Sequence, residues 1–413
     1  MAALAALEAP TTGGSRRRAL AALCLTEIVS YGVIYYAFPV LAGQIAAGTG
    51  WSRTAITAAY SAGNLAGALA GIKVGRVLGR HGPRPVMTTA GIVAAFAVAG
   101  LAAAPGYAWF LAAWLAAGTA SAGLYYPPAF AALTAWYGPR RVQAITTLTL
   151  AAGFASTIFA PLTSALAAHL GWRGAYLVLA AVLAAVTIPA CAFALRLPWT
   201  SQSQTPAGGA SGRRPDRAVT ASRPFLVLSA SATLCALAQY GALVSVVPLL
   251  TGRGFSAGLA AWALGLGGAG QVAGRLCYRA IEARLGARGR AIGVIAAGAA
   301  VTLLLGLVPG PAAILIAAAV TAGAIRGLFT LTEATLVADY WGIEHYAAVN
   351  GAFNAPITAA GALAPAIGAA IAAATGSYTA LFVILAAIAA SGAALAATAP
   401  APSVPAGRVS RFR

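Results

Sequence analysis

Hydrophobic positions along this chain come in unbroken runs of about twenty residues, not in alternation with polar ones. Wound as a helix at ~1.5 Å per residue, such a run crosses the ~30 Å hydrocarbon core of a bilayer. Twelve runs stand out, at 19–41, 54–75, 85–104, 107–133, 142–166, 174–196, 223–248, 257–277, 290–308, 311–336, 346–369 and 376–398. Turn residues mark the joints, among them Pro105-Gly106 and Pro309-Gly310-Pro311. The pattern predicts an all-α membrane protein of twelve transmembrane helices. It disfavours a β-barrel, whose strands would alternate.

Composition agrees. The 413 residues are 60% hydrophobic and 8% charged, against about 25% charged in a soluble protein. Alanine, glycine and leucine dominate, as closely packed membrane helices require. A net charge of +19 raises the question of nucleic acid. The distribution answers it. With the N-terminus inside, 22 of the 26 basic residues fall in inner segments, and the outer loops keep only Arg53, Arg173 and Arg253. This is the positive-inside bias, so both termini are expected on the cytoplasmic side of the membrane. The basic excess serves topology and anionic lipid, not nucleic acid. Cys24, Cys191, Cys235 and Cys277 lie in predicted helices without CxxC spacing, and His81, His169 and His345 sit at loops or helix ends. No metal site, phosphate loop or nucleophile–base arrangement is expected, hence no cofactor and no enzyme. The first apolar run is too long for a signal peptide and is expected to stay as a helix.

One polar interruption, at 197–222, separates the twelve runs six and six. It reads as a flexible cytoplasmic linker between bundles at 19–196 and 223–398, flanked by tails at 1–18 and 399–413. The halves are copies. At an offset of 204, GLYYPPAFAALTAWYGPRR (123–141) lies on GLFTLTEATLVADYWGIEH (327–345) without a gap, and Pro161 falls on Pro365. GRVLGR (75–80) similarly resembles GRLCYR (274–279). Parallel six-helix repeats are a transporter architecture with the cargo site near the midplane.

On these motifs the chain resembles a major facilitator superfamily transporter over nearly its full length. GRVLGRHGPRPVM (75–87) is similar to the superfamily's signature between helices two and three, and it implies conformational gating by Gly75, Arg76, Gly79, Arg80 and Arg84. Gly79 stands where the family carries an aspartate that helps lock the outward-facing state, so that lock lacks its acid here. YGVIYYAFPVL (31–41), GWSRTAIT (50–57), WYGPRRVQAI (136–145) and GWRGAY (171–176) resemble the bacterial monocarboxylate-porter and oxalate/formate-antiporter branch. In animal-type monocarboxylate porters the key arginine lies in helix eight. Arg275 is the arginine nearest to that place, and it matches Arg76 of the repeat at the cytoplasmic end.

Three ionisable groups fall within spans: Glu27, Arg326 and Glu333. A charge there costs at least ~2.5–3.5 kcal/mol, so each is a candidate for function. Arg326 offers a fork that fits a carboxylate. It is expected to bind an anion, the alternative being a structural arginine neutralised by Glu333 or Glu27. Glu27 and Glu333 are candidate proton-coupling residues; the alternative for Glu27 is a salt bridge to Arg326 or a hydrogen bond within the first helix, and Glu333 reads rather as a gating or loop salt-bridge partner near the cytoplasmic end. Tyr31, Tyr35, Tyr125, Tyr126, Gln239, Tyr240, Asn350 and Asn354 add polar groups within spans and complete the substrate-binding set. The resemblance implies that helices one, four, seven and ten line a central cavity. Tyr125-Tyr126-Pro127-Pro128 is expected to break the fourth helix. Glycines at 63, 67, 71, 75 and 79 form a slowly winding stripe, for close packing and for sliding between halves.

The expected protein is a secondary transporter, a monomer sufficing, that moves a small organic anion by alternating access with proton coupling. The alternative is a proton-driven efflux pump for a drug, antibiotic or other toxic compound. A non-transporting sensor or scaffold has no sizeable soluble domain to support it.

Overall fold

The computed structural model describes residues 13–199, 217–341 and 343–400. Most of both expected tails, most of the linker, and the side chains of Glu344 and His345 lie outside the described residues.

The first span is α1 (Gly13–Ser30), a π-turn (Tyr31–Tyr36) and α2 (Ala37–Thr49). Then come α3 (Arg53–His81), α4 (Pro83–Ala102), α5 (Tyr107–Ser121), α6 (Tyr126–Tyr137), α7 (Arg141–Ala152) and α8 (Ala155–Pro189), which ends in a second π-turn (Ala190–Ala194). After a short α9 (Arg217–Thr220) follow α10 (Arg223–Gly252), α11 (Ala257–Glu282), α12 (Ala287–Leu307), α13 (Ala312–Trp341), α14 (Ile343–Thr375) and α15 (Tyr378–Ala397).

Among the described residues, nine runs are long and apolar enough to cross a membrane as they stand. The sequence pattern predicts twelve, and the difference is local. Arg141–Ala194 is one helical run that turns back at Gly171 (φ 67°), so it crosses twice. The fourth span is divided into α5 and α6, of 15 and 12 residues, each too short alone. Glycines and Gln271 dilute the apolarity of α11.

Turn chemistry sets the joints. Gly50 ends α2 at φ 73°, and Ser52 caps α3 by accepting from the Ala55 N–H at 3.1 Å. Gly82 (φ 79°) followed by Pro83 starts α4. Two of the outer arginines cap helix ends as well. Arg173 donates to the carbonyls of Ala102 (2.7 Å) and Ala104 (3.2 Å) at the end of α4. Arg253 donates to Leu305 (2.8 Å), Val308 (2.7 Å) and Gly306 at the end of α12. These are repeat-equivalent helix ends, since Ala102 and Ala104 fall on Gly306 and Val308 at the 204 offset. A cation there satisfies orphan carbonyls and meets the negative end of the helix dipole.

The chain divides into two compact units. Unit 1 is Met1–Gln204 with Gly254–Gly268, and unit 2 is Thr205–Arg253 with Ala269–Arg413. The expected halves differ from this at α11, whose first part groups with unit 1. The reason is close packing: a Cβ at Gly268 would lie 2.8 Å from the Gly153 carbonyl oxygen, and Thr157 donates to the Gly265 carbonyl at 2.8 Å.

In unit 1, stacked and edge-on rings of Phe38, Tyr60, Phe110 and Trp114 join α2, α3 and α5. The glycine stripe of α3 splits in two. Cβ atoms at Gly63 and Gly67 would collide with the backbone of Trp114 and Gly118 in α5, whereas Gly71, Gly75 and Gly79 have nothing within 4 Å. The stripe's first part is thus packing inside the unit. In unit 2 the corresponding close approach joins α11 to α13, through Gly270, Gly274 and Gly327.

Candidate functional site

Unit 1 brings Glu27, Tyr31, Tyr35, Tyr125 and Tyr126 together, at two places where helix geometry fails. The first span opens into a π-turn at Tyr31–Tyr36. A π-turn shifts the backbone ladder to i→i+5 bonds, here Ala37 N–H to the Gly32 carbonyl, and it recurs at functional sites. The Tyr35 carbonyl accepts the Tyr60 hydroxyl at 3.4 Å. The fourth span opens between Ser121 and Tyr126, as Pro127 and Pro128 dictate. The Gly123, Leu124 and Tyr125 N–H groups fold back on Ala120 and Ser121 carbonyls, so the break is a satisfied turn. Across these two irregularities Tyr31 stacks on Tyr125, with centroids 4.0 Å apart and planes 8° apart. Its ring also meets Tyr126 at 5.1 Å and Tyr35 at 6.3 Å. Tyr126 in turn stacks on Phe130 and touches the apolar core of α1, α6 and α7.

Glu27 lies one helical turn before Tyr31 and is fully buried. Neither of its carboxyl oxygens has a hydrogen-bond partner. Its neighbours are committed elsewhere: Ser30 donates to the Thr26 carbonyl at 2.5 Å, and Thr26 Oγ1 pairs with Cys191 Sγ at 3.6 Å. The hydrogen bond within the first helix that the sequence leaves open is therefore not made.

Unit 2 holds the other candidates. Arg326, on α13, is 7% exposed, and its Nε and Nη2 have no partner. Within its unit and among the described residues it forms no ion pair. Glu333, two turns on, does not reach it, in keeping with a rise of ~10 Å over seven residues. The ion pair that unit 2 does make joins buried Arg290 to Asp339, beside Tyr278, whose hydroxyl shares a 2.6 Å hydrogen bond with Thr335. Gln239 donates from Nε2 to Cys235 Sγ at 3.1 Å and leaves Oε1 unpartnered. The Tyr240 ring lies against Gly361 of α14. Asn354 donates to Asn350 Oδ1 at 2.8 Å and leaves its own Oδ1 unpartnered. At the 204 offset, Gln239 and Tyr240 fall on Tyr35 and Tyr36, and Arg326 falls on Ala122 inside the break of the fourth span. Unit 1 thus holds Glu27 among tyrosines, and unit 2 holds Arg326, Glu333, Tyr240 and the amides.

The signature loop is only partly free. Arg76 and Arg80 are exposed. Arg84 donates to the Ala192 carbonyl at 2.9 Å, and its repeat equivalent Arg288 donates to Ala397. Trp199, assigned by sequence to the linker, donates from its indole to the Gly79 carbonyl at 3.3 Å and packs over Gly82. Arg275 is 8% exposed near the end of α11. Sequence reasoning missed Tyr60, the Trp199 contact and the Arg290–Asp339 pair. Each joins residues far apart in the chain with no local signature; among the described residues no cluster of metal-type ligands occurs.

Comparison with known proteins fits this architecture. The profile of the Major Facilitator Superfamily matches residues 23–354 and 230–412. No curated protein matches the sequence. Among solved structures, a bacterial homolog of the human lysosomal transporter Spinster, in an inward-facing and occupied conformation, is similar with a TM-score of 0.74. It is 17% identical, over 94% of this chain and 98% of that one. The same transporter in an inward-facing and unoccupied conformation matches with a TM-score of 0.72 and 17% identity, over 94% and 95%. The family profile covers well over half of the chain: this multi-pass membrane protein belongs to the major facilitator superfamily and is a secondary transporter.

Proposed function

We propose that the chain carries a small organic anion of the monocarboxylate kind across a bacterial inner membrane, with both termini cytoplasmic and transport coupled to protons. One observation carries this: Arg326 is buried with two nitrogens unpartnered. A guanidinium in such a place calls for an anion, and its fork fits a carboxylate. Tyr31, Tyr35, Tyr125, Tyr126, Gln239, Tyr240, Asn350 and Asn354 are proposed as further cargo contacts. Glu27, fully buried without a donor, is proposed as the proton carrier, and Glu333 as a second acid on the route. The exposed Arg76 and Arg80, with Gly75, Gly79 and Arg84, are proposed to gate the change of access, and inner-face arginines to meet anionic lipid.

A second reading rests on Glu27 itself. An unpaired carboxyl beside tyrosine rings also suits an organic cation, as in a proton-driven efflux pump. Thermal-shift measurements on the purified protein, with acetate, lactate and pyruvate against tetraphenylphosphonium, separate the two. Stabilisation by a carboxylate in the wild type, lost in Arg326→Gln, is expected. Stabilisation by the cation alone, unchanged in Arg326→Gln and lost in Glu27→Gln, would refute the anion reading.

A further inference from the structure

Two buried groups of unit 1 lack partners and complement each other. The Glu27 carboxyl has two acceptor oxygens and no donor, and the Tyr125 hydroxyl is a donor with no acceptor. Tyr31 connects them: it is four residues from Glu27, and its ring lies face to face on Tyr125 at 4.0 Å. Tyr125 also stands within electrostatic reach of Glu27.

A fully buried carboxylate without a hydrogen bond is not sustained, so this arrangement fits the neutral acid. Once the proton leaves, the carboxylate needs a donor. Cys24 and Cys191 stand near Glu27, but a thiol is a weak donor, and Cys191 is already engaged with Thr26. Of the elements packed against α1, α6 brings Tyr126, held on Phe130, and Tyr137, which donates to the Arg16 carbonyl at 2.8 Å. The ionisable residue of α7 is Arg141, at its exposed start. On α8, Arg173 and Tyr176 meet Trp172, which packs by Gly48, and the buried Tyr176 hydroxyl stands within electrostatic reach of Tyr60, not of Glu27. Tyr125 is left. It sits in the broken turn in an extended conformation (φ −76°, ψ −174°), so its ring can swing without breaking a helical ladder.

We propose that Tyr125 is the positioning residue of the proton site, its hydroxyl donating to the Glu27 carboxylate when the proton has left and releasing it when the proton returns. Tyr125 keeps its own proton throughout. The proton that Glu27 gives up passes to water. The inference rests on the proposal that Glu27 is the proton carrier.

Infrared titration of the full-length protein in detergent tests both without any cargo. The protonated carboxyl stretch of Glu27, identified by its loss in Glu27→Gln, should disappear over a defined pH range. Tyr125→Phe keeps the stacked ring and loses only the donor. It should move the midpoint up by about one to two pH units, the worth of one hydrogen bond to a charge. Its melting temperature should match the wild type, since that hydroxyl makes no bond in this structure. In the wild type, the tyrosine C–O band should shift in step with the Glu27 titration. A Glu27 band whose midpoint is the same in Tyr125→Phe, or a tyrosine band that stays still, overturns the inference and leaves the proton carrier standing. Absence of any Glu27 titration overturns the carrier proposal itself.

Discussion

Replacing Arg326 by methionine is expected to raise the melting temperature of the cargo-free protein. The substitution keeps an unbranched apolar stem, about two bonds shorter, and removes the charge. Arg326 is 7% exposed, with Nε and Nη2 unpartnered. Removing an uncompensated charge from within a span recovers about 2.5–3.5 kcal/mol on insertion scales. At about 2–4 °C per kcal/mol for folded units of roughly 150–250 residues, the rise comes to about 5–14 °C. Arg290 supplies the contrast. It is buried to a similar degree (4% exposed) but paired with Asp339. Arg290→Met leaves that acid, itself a third exposed, without its cation and should cost about 1–3 kcal/mol. The assay is thermal unfolding of both variants in the same detergent, without cargo. The reasoning is refuted if Arg326→Met melts as far below the wild type as Arg290→Met does. That result would mean that the guanidinium is a structural member of unit 2, and the proposed anion site would lose its support.

Arg253→Ala and Arg173→Ala should each destabilise by about 1–3 kcal/mol, because several helix-end carbonyls lose their donor at partly exposed sites. Arg53→Ala should melt within about 0.5 kcal/mol of the wild type, its side chain being exposed; equal losses in all three would show that the capping contacts do not matter. Gly118→Leu drives a side chain into the Gly63 backbone and should abolish the monodisperse peak on size-exclusion chromatography, whereas Gly75→Ala, with open space beside it, should elute as the wild type. Trp199→Ala removes the indole from the Gly79 carbonyl and from the face of Gly82, and limited proteolysis should cut the loop between α3 and α4 faster. An unchanged cleavage rate would show that Trp199 does not hold that loop.

Period and charge alone carried the architecture. Twelve apolar runs, a basic bias on one side and a copied half are one-dimensional properties, and a bilayer turns them directly into spans because every backbone group must be satisfied within its own helix. The break at Tyr125-Tyr126-Pro127-Pro128 was equally legible, since proline lacks the N–H that a continuous helix needs. The π-turn at Tyr31–Tyr36 was not. It carries no proline, and its Gly32 reads as ordinary until the Phe159 ring is seen occupying the place of a Cβ.

The polar candidates divide in the same way. That Glu27 and Arg326 are unusual follows from sequence, because a charge among apolar neighbours in a span is costly wherever it points. Whether each is paired depends on what other helices bring within ~3 Å, and chain order does not encode that distance. Tertiary structure alone shows Glu27 without a donor, Arg326 unpaired in its unit, and Arg290 holding Asp339. It also converts Arg173 and Arg253 from topological markers into helix caps, and half of a glycine stripe into a helix crossing. The sequence by itself determined that this is a twelve-span transporter with charges to explain. Only the packing decided which charges have partners, because pairing is a short-range interaction between residues that the chain keeps far apart.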